Sequence, residues 1–143
     1  MNQPTITQAQ ADARVTQLIR DTAAALTPPP RLELVPHGTG ANDCLHDGEP
    51  EGKVVINRAY WLRDIPKSQS MNIGRQVKSY WEAQEHRIVS AGGWQVGHPN
   101  IGGVSQPDGY LLALVWTEGD NLYLEATSPC LWPDGTPPAR NGR

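Results

Sequence analysis

The sequence predicts an α+β domain: a mixed or antiparallel sheet of about five strands with two helices packed on one face. Three observations point there. Two segments place apolar residues at helical period. The remaining apolar segments alternate or run continuously over strand lengths. The order is helix, strand, long loop, strand, helix, then three or four strands. Helices that are apolar along one stripe need a sheet to cover, and successive strands with short turns supply it.

The first helix is expected from Thr7 to Leu26. Ala11, Val15, Leu18, Ile19, Thr22 and Leu26 fall on one face of a 3.6-residue period. Thr7 and Gln10 have capping-box spacing. Asp12 lies in the first turns, where the helix dipole favours a carboxylate. Pro28-Pro29-Pro30 ends the helix, because proline has no amide to donate. Arg31 to Val35 alternates Leu32 and Leu34 with charged neighbours, as a half-buried strand does. Pro36 to Gly52 reads as a long loop of Gly, Asp, Asn and Pro. Lys53 to Leu62 is a strand with Val54, Ile56, Tyr60 and Leu62 on one side and Val55, Ala59 and Trp61 on the other.

Ser70 to His86 is the second helix, with Ile73, Val77, Tyr80, Trp81 and Gln84 at helical spacing. Arg87 to Ala91 is a short strand, Gly92-Gly93 a turn, and Trp94 to Val96 a continuation of the hairpin. Gly97 to Asp108 reads as irregular. Tyr110 to Thr117 is apolar at nearly every position, as a central strand would be. Glu118 to Asn121 supplies a turn, and Leu122 to Thr127 returns with Leu122, Leu124 and Ala126 on one face. A tail at residues 1–6, one domain at 7–132 and a Pro-rich tail at 133–143 follow, since 143 residues suit one domain.

Composition excludes some functions. A net charge of −3 without a clustered basic face argues against nucleic acid as a partner. No stretch approaches the roughly 18 apolar residues of a membrane span. Phe is absent, while five Trp and four Tyr are present. Such residues either fill the core or offer half-exposed binding surface.

Cys44 and Cys130 are the only cysteines, and both lie in loop-like stretches. They are expected to form a disulfide joining the start of the fold to its end. That would place the chain outside a reducing cytosol. A cytosolic chain with two free cysteines is the competing reading.

Five segments carry a family resemblance: Leu26-Thr27-Pro28-Pro29-Pro30, the loop Cys44, Ala59 to Pro66, Tyr80-Trp81, and Ser128-Pro129-Cys130-Leu131-Trp132-Pro133. Across Asp21 to Pro138 the chain resembles small lipoproteins of the cell envelope of high-GC Gram-positive bacteria, a family without an established activity. The resemblance implies export, a two-cysteine bridge and a lipid-modified cysteine tethering the chain to the outer face of the membrane. No cysteine or lipobox lies near Met1, so anchoring is expected of a segment preceding it.

Reaction motifs are few. His37, Asp43, Cys44, His46 and Asp47 share one loop, but their spacing fits no standard zinc site. Asp43, Asp47, Glu49 and Glu51 lack the alternation of an EF-hand loop. No Gly-x-Ser-x-Gly occurs, and no Gly-Lys-Ser/Thr follows Gly97, Gly102 or Gly103. No metal or organic cofactor is expected.

A set of eight aromatics, Tyr60, Trp61, Tyr80, Trp81, Trp94, Tyr110, Trp116 and Trp132, is the functional lead. One of Tyr60 and Trp61 must face away from the helices. The expected function is a non-enzymatic, exported envelope domain that binds an envelope protein, glycan or lipid. Trp61 and Trp94 are the candidate contacts. The alternatives are a small-ligand or lipid carrier with a cleft between sheet and helices, and an envelope hydrolase.

Overall fold

The computed structural model describes residues 6–36, 40–46 and 49–132. Residues 1–5 and 133–143 of the expected tails, His37 and Asp47 lie outside the described residues, and Ile6 packs against the core. The described residues form two α-helices, two short 3₁₀ turns and seven strands, all paired antiparallel in one sheet. Helix α1 spans Gln8–Ala24 and α2 spans Ser70–Ala83. The strands are β1 Arg31–Leu34, β2 Gly40–His46, β3 Glu49–Arg63, β4 Arg87–Gly92, β5 Asn100–Val104, β6 Leu111–Thr117 and β7 Asn121–Thr127. Their spatial order is β1-β3-β7-β6-β5-β4, and β2 pairs with β3.

Thr7 caps α1 as its spacing predicts. Its Oγ1 accepts the Gln10 N–H at 3.0 Å, and Gln10 Oε1 accepts the Thr7 N–H at 2.8 Å. Such a cap stabilises a helix by about 1 kcal/mol. All six expected core positions of α1 are buried. Asp12 has a different role from the one expected. Its carboxylate holds Arg58 of β3 through two hydrogen bonds, at 2.5 and 2.9 Å, and so ties α1 to the sheet. Helix α2 buries Ile73, Val77 and Trp81, but it ends at Ala83, so Gln84 is its exposed C-cap.

Two corrections raise the strand number above five. The expected Pro36–Gly52 loop contains β2 and the start of β3, which form a long hairpin. Polar residues hide β2, since its pairing is made by backbone groups. The expected irregular segment at 97–108 contains β5, hidden by Gly102 and Gly103. Gly103 lies where a Cβ would approach the Arg87 carbonyl at 3.2 Å and the Trp81 ring at 3.4 Å, so the close strand–helix approach needs it. Trp94–Val96 is a short 3₁₀ turn that does not extend the hairpin.

Helix α1 lies on β3 and β7, α2 lies by β4 and β5, and both feed one core. At its centre Leu114 of β6 is fully buried between its register partners, Leu124 of β7 and Ile101 of β5.

Candidate functional site

Antiparallel register sorts the side chains of the sheet, because directly opposite residues share a face. Ile56, Tyr60 and Leu62 of β3 stand with Leu122, Leu124 and Ala126 of β7 on the helix-packed face. Trp61, Tyr123, Glu125, Ala113 and Val115 stand on the other. No described helix covers that second face.

Trp61 is half-buried there. Its register partner Tyr123 meets it edge to face, with ring centroids 5.5 Å apart. The Arg63 guanidinium lies 5.0 Å from the Trp61 ring centre, and its Nε donates to Glu33 Oε1 at 2.6 Å. The Glu33 carboxyl is held below its ordinary value first by that hydrogen bond and then by the charge of Arg63. Burial, then Glu125, push the Tyr123 phenol up, so it stays a neutral donor. Further along the strands, Asn57 Nδ2 donates to Glu125 Oε2 at 2.9 Å and to Thr127 Oγ1 at 2.6 Å. Asn57 Oδ1 is buried without a hydrogen-bond partner among the described residues.

Trp94 lies elsewhere. It packs on Gly74 of α2 beside Pro99, where a Cβ on residue 74 would come within 3.1 Å of its ring. The Arg75 guanidinium stands 5.9 Å from its centre. Trp61 and Trp94 therefore belong to different surfaces, and neither is fully buried. Near Trp94, His98 stacks on Trp116 at 3.4 Å, while Trp116 Nε1 donates to Asp120 at 2.9 Å. Trp81 and Tyr110 of the eight aromatics are core residues. Trp132 lies against Gly52, with Lys53 Nζ 5.3 Å from its ring centre.

Cys44 and Cys130 form a disulfide, with Cα atoms 5.9 Å apart. Leu131 continues the clamp by exchanging two backbone hydrogen bonds with Val54, at 2.7 and 2.8 Å. Cys44 is thereby removed as a thiolate ligand. No cluster of three His, Cys, Asp or Glu side chains suited to a metal occurs among the described residues. No described helix is long and apolar enough to cross a membrane.

The nearest approach to a catalytic constellation is Ser105, Asp108 and His86. Ser105 is fully buried, and its hydroxyl donates to Asp108 Oδ1 at 2.5 Å while accepting the Tyr110 N–H at 2.9 Å. His86 Nδ1 accepts the Gln106 N–H at 3.3 Å. Burial raises the Asp108 carboxyl, but hydrogen bonds from Ser105 and Arg14 outweigh it and hold the group below its ordinary value. The cluster closes the turn between β5 and β6, and among the described residues no hydrogen bond joins Ser105 to His86.

A groove of about 390 Å³ opens between α1 and β2–β3, lined by Gln8, Ala9, Asp12, Gly40, Ala41, Ile56 and Arg58. The charged pair at its base is mutually neutralised.

Sequence reasoning missed Tyr123, Arg63, Glu125 and Asn57. Tyr123 was legible: it alternates with Leu122 and Leu124 and so points away from the core. Comparison with protein-family models, with curated proteins and with solved structures finds no match.

Proposed function

We propose that this chain is a non-enzymatic, exported cell-envelope domain that captures a protein partner through the helix-free face around Trp61. The observation that carries the reading is the Trp61–Tyr123–Arg63 group on that face. Trp, Tyr and Arg are the residue types that dominate interface energetics, and here each is held in place by its neighbours. Glu33 fixes Arg63, and Tyr123 fixes the Trp61 ring, so little side-chain freedom remains to lose on docking. Export and lipid anchoring rest on the resemblance and on the disulfide, which persists outside reducing compartments.

The test is capture from envelope extract by wild type, Trp61→Ala and Trp94→Ala. A hot-spot tryptophan is worth roughly 2 kcal/mol or more, so Trp61→Ala should lower capture at least ~30-fold with the fold intact. Equal capture by wild type and Trp61→Ala removes the reading; loss in Trp94→Ala alone moves the site to the α2 end of the sheet. A small-ligand or lipid carrier is the second reading. The groove beside Asp12 and Arg58 favours it, since its volume falls within the range of small-molecule sites.

A further inference from the structure

We propose that the helix-free face over β4, β5, β6 and β7 is a self-association surface, on which a second copy of this chain docks about a two-fold axis and sets Arg87 of each copy against Glu125 of the other. The first ground is the composition of β6. Leu112 and Leu114 point into the core, yet Leu111, Ala113 and Val115 point outward. A half-solvated antiparallel sheet alternates apolar-in with polar-out, so a strand apolar on both sides expects cover on both. Leu111 is 56 % exposed and Val89 of β4 is 52 % exposed. Val89 leans onto the same face, its methyl 3.5 Å from where a Cβ on Gly102 would stand.

The chain's own undescribed residues offer little to cover this strip. Residues 1–5, 37–39, 47–48 and 133–143 hold Met1 as their one large apolar side chain other than proline.

Charge points to what covers this strip. Arg31 is paired with Asp64 and Arg63 with Glu33 at the β1 side of the face. Arg87 at the β4 margin is exposed and has no ion-pair partner among the described residues. Among the described residues Glu125 on β7 receives the neutral Asn57 amide and no cation. One cation and one anion thus flank the apolar strip, one on each side. A two-fold axis parallel to the strands between β6 and β5 exchanges β7 with β4. It carries β4 of each copy over β7 of the other, so that Arg87 and Glu125 face each other from opposed strands in both directions, as an isologous contact requires. Register puts the two residues in adjacent outward rows: Arg87 pairs with Val104 and Val104 with Leu111, while Gly102 pairs with Ala113 and Ala113 with Glu125. The offset is about 7 Å along the strand, within the reach of an arginine. Aligned sheets stack at about 10 Å with their side chains interleaved.

The size of the patch sets its strength. Each outward position covers about 33 Å² of sheet, from the strand spacing and the two-residue repeat. Three such positions on each of four strands give about 400 Å² per copy and about 800 Å² for the pair, below the ~1,200 Å² of stable complexes. The contact is accordingly of the weak, transient class. Trp61 lies on β3 beside this footprint and Tyr123 of β7 borders both surfaces, so Leu111→Lys on β6 and Val89→Glu on β4, away from Trp61, are the variants that separate self-association from partner capture.

Sedimentation velocity on the full chain, from ~10 μM to ~1 mM, tests the proposal. Wild type should pass from monomer to dimer. Leu111→Lys and Val89→Glu alter exposed side chains and should remain monomeric with an unchanged urea midpoint. Arg87→Glu and Glu125→Arg should each weaken association about tenfold or more, and the chain carrying both should return to within about threefold of wild type. Wild type that stays monomeric throughout, a dimer indifferent to Leu111→Lys, or a double swap no stronger than its singles overturns the proposal. If Glu125→Arg does not fold, Leu111→Lys and Val89→Glu decide the matter.

Discussion

Thr22 and Trp81 join the two helices through one buried contact whose strength is open to measurement. Trp81 Nε1 donates to Thr22 Oγ1 at 2.9 Å, and Thr22 Oγ1 donates to the Leu18 carbonyl at 2.8 Å. Thr22 is 2 % exposed and Trp81 1 % exposed, so water cannot replace either partner. Thr22→Val keeps the volume and the β-branch but strands the indole N–H. A buried donor left unsatisfied costs about 1–3 kcal/mol. The Leu18 carbonyl is a helix acceptor already, so losing the hydroxyl proton adds little. We expect Thr22→Val to lose about 1–2 kcal/mol in urea unfolding, with a midpoint about 3–7 °C lower on heating for a chain of this size. Trp81→Phe removes the donor and part of the ring volume, at a cost of about 1–3 kcal/mol. The decisive result is the double variant. Phe at position 81 has no N–H to strand, so the two losses should fall short of additivity by about 1 kcal/mol or more. If the losses add, or if Thr22→Val matches wild type within about 0.5 kcal/mol, the hydrogen bond does not support the helix–helix contact as argued.

The disulfide encloses a separation of 86 residues, for which chain entropy gives about 4–5 kcal/mol. Cys44→Ala/Cys130→Ala should lower the thermal midpoint by roughly 10–15 °C and raise the urea m-value; a loss below about 1 kcal/mol contradicts this. Thiol titration of unfolded, unreduced wild type should find no free thiol. Acid should destabilise the fold in two steps, read as urea midpoint against pH. Burial, then Arg14, hold the His86 imidazole below its ordinary 6.5, so folding favours the neutral form and stability declines as pH falls below about 6.5. Hydrogen bonding from Arg58 holds the Asp12 carboxyl below its ordinary 3.8, so its contribution is present above that value and lost as pH falls through the depressed one. His86→Gln should erase the first step and Asp12→Asn should reduce the second. Chelation should leave the thermal midpoint unchanged. Leu114→Ala, at the centre of the sheet, should cost about 2–5 kcal/mol.

How much could be read beforehand differs from element to element. Helix α1 was legible to its cap, because Thr7, Gln10 and the buried stripe are local signals and the structure uses them locally. Strand β3 gave its two faces by alternation alone, and Tyr60 and Trp61 part as the period requires. Strand β2 carries no such signal. Its residues mix small, polar and apolar side chains without alternation, and pairing with β3 and the bond to Cys130 make it a strand. Strand β5 was masked by Gly102 and Gly103, whose missing side chains admit the neighbouring strand and α2.

The candidate site divides the same way. That one of Tyr60 and Trp61 faces outward follows from the two-residue repeat of a strand. Which partners it finds there, Tyr123 and Arg63, follows from register across residues far apart in the chain. Asp12 makes the point from the other side: its position in the first turns suggested a dipole contact, and Arg58, 46 residues away, claims it instead. Periodicity, capping and turn chemistry act between near neighbours, so the sequence by itself determined the helices, most strands, their apolar faces and the one cysteine pair. Strand order, register and the exposed strip over β4–β7 arise from contacts between distant segments, and only the packed chain decided those.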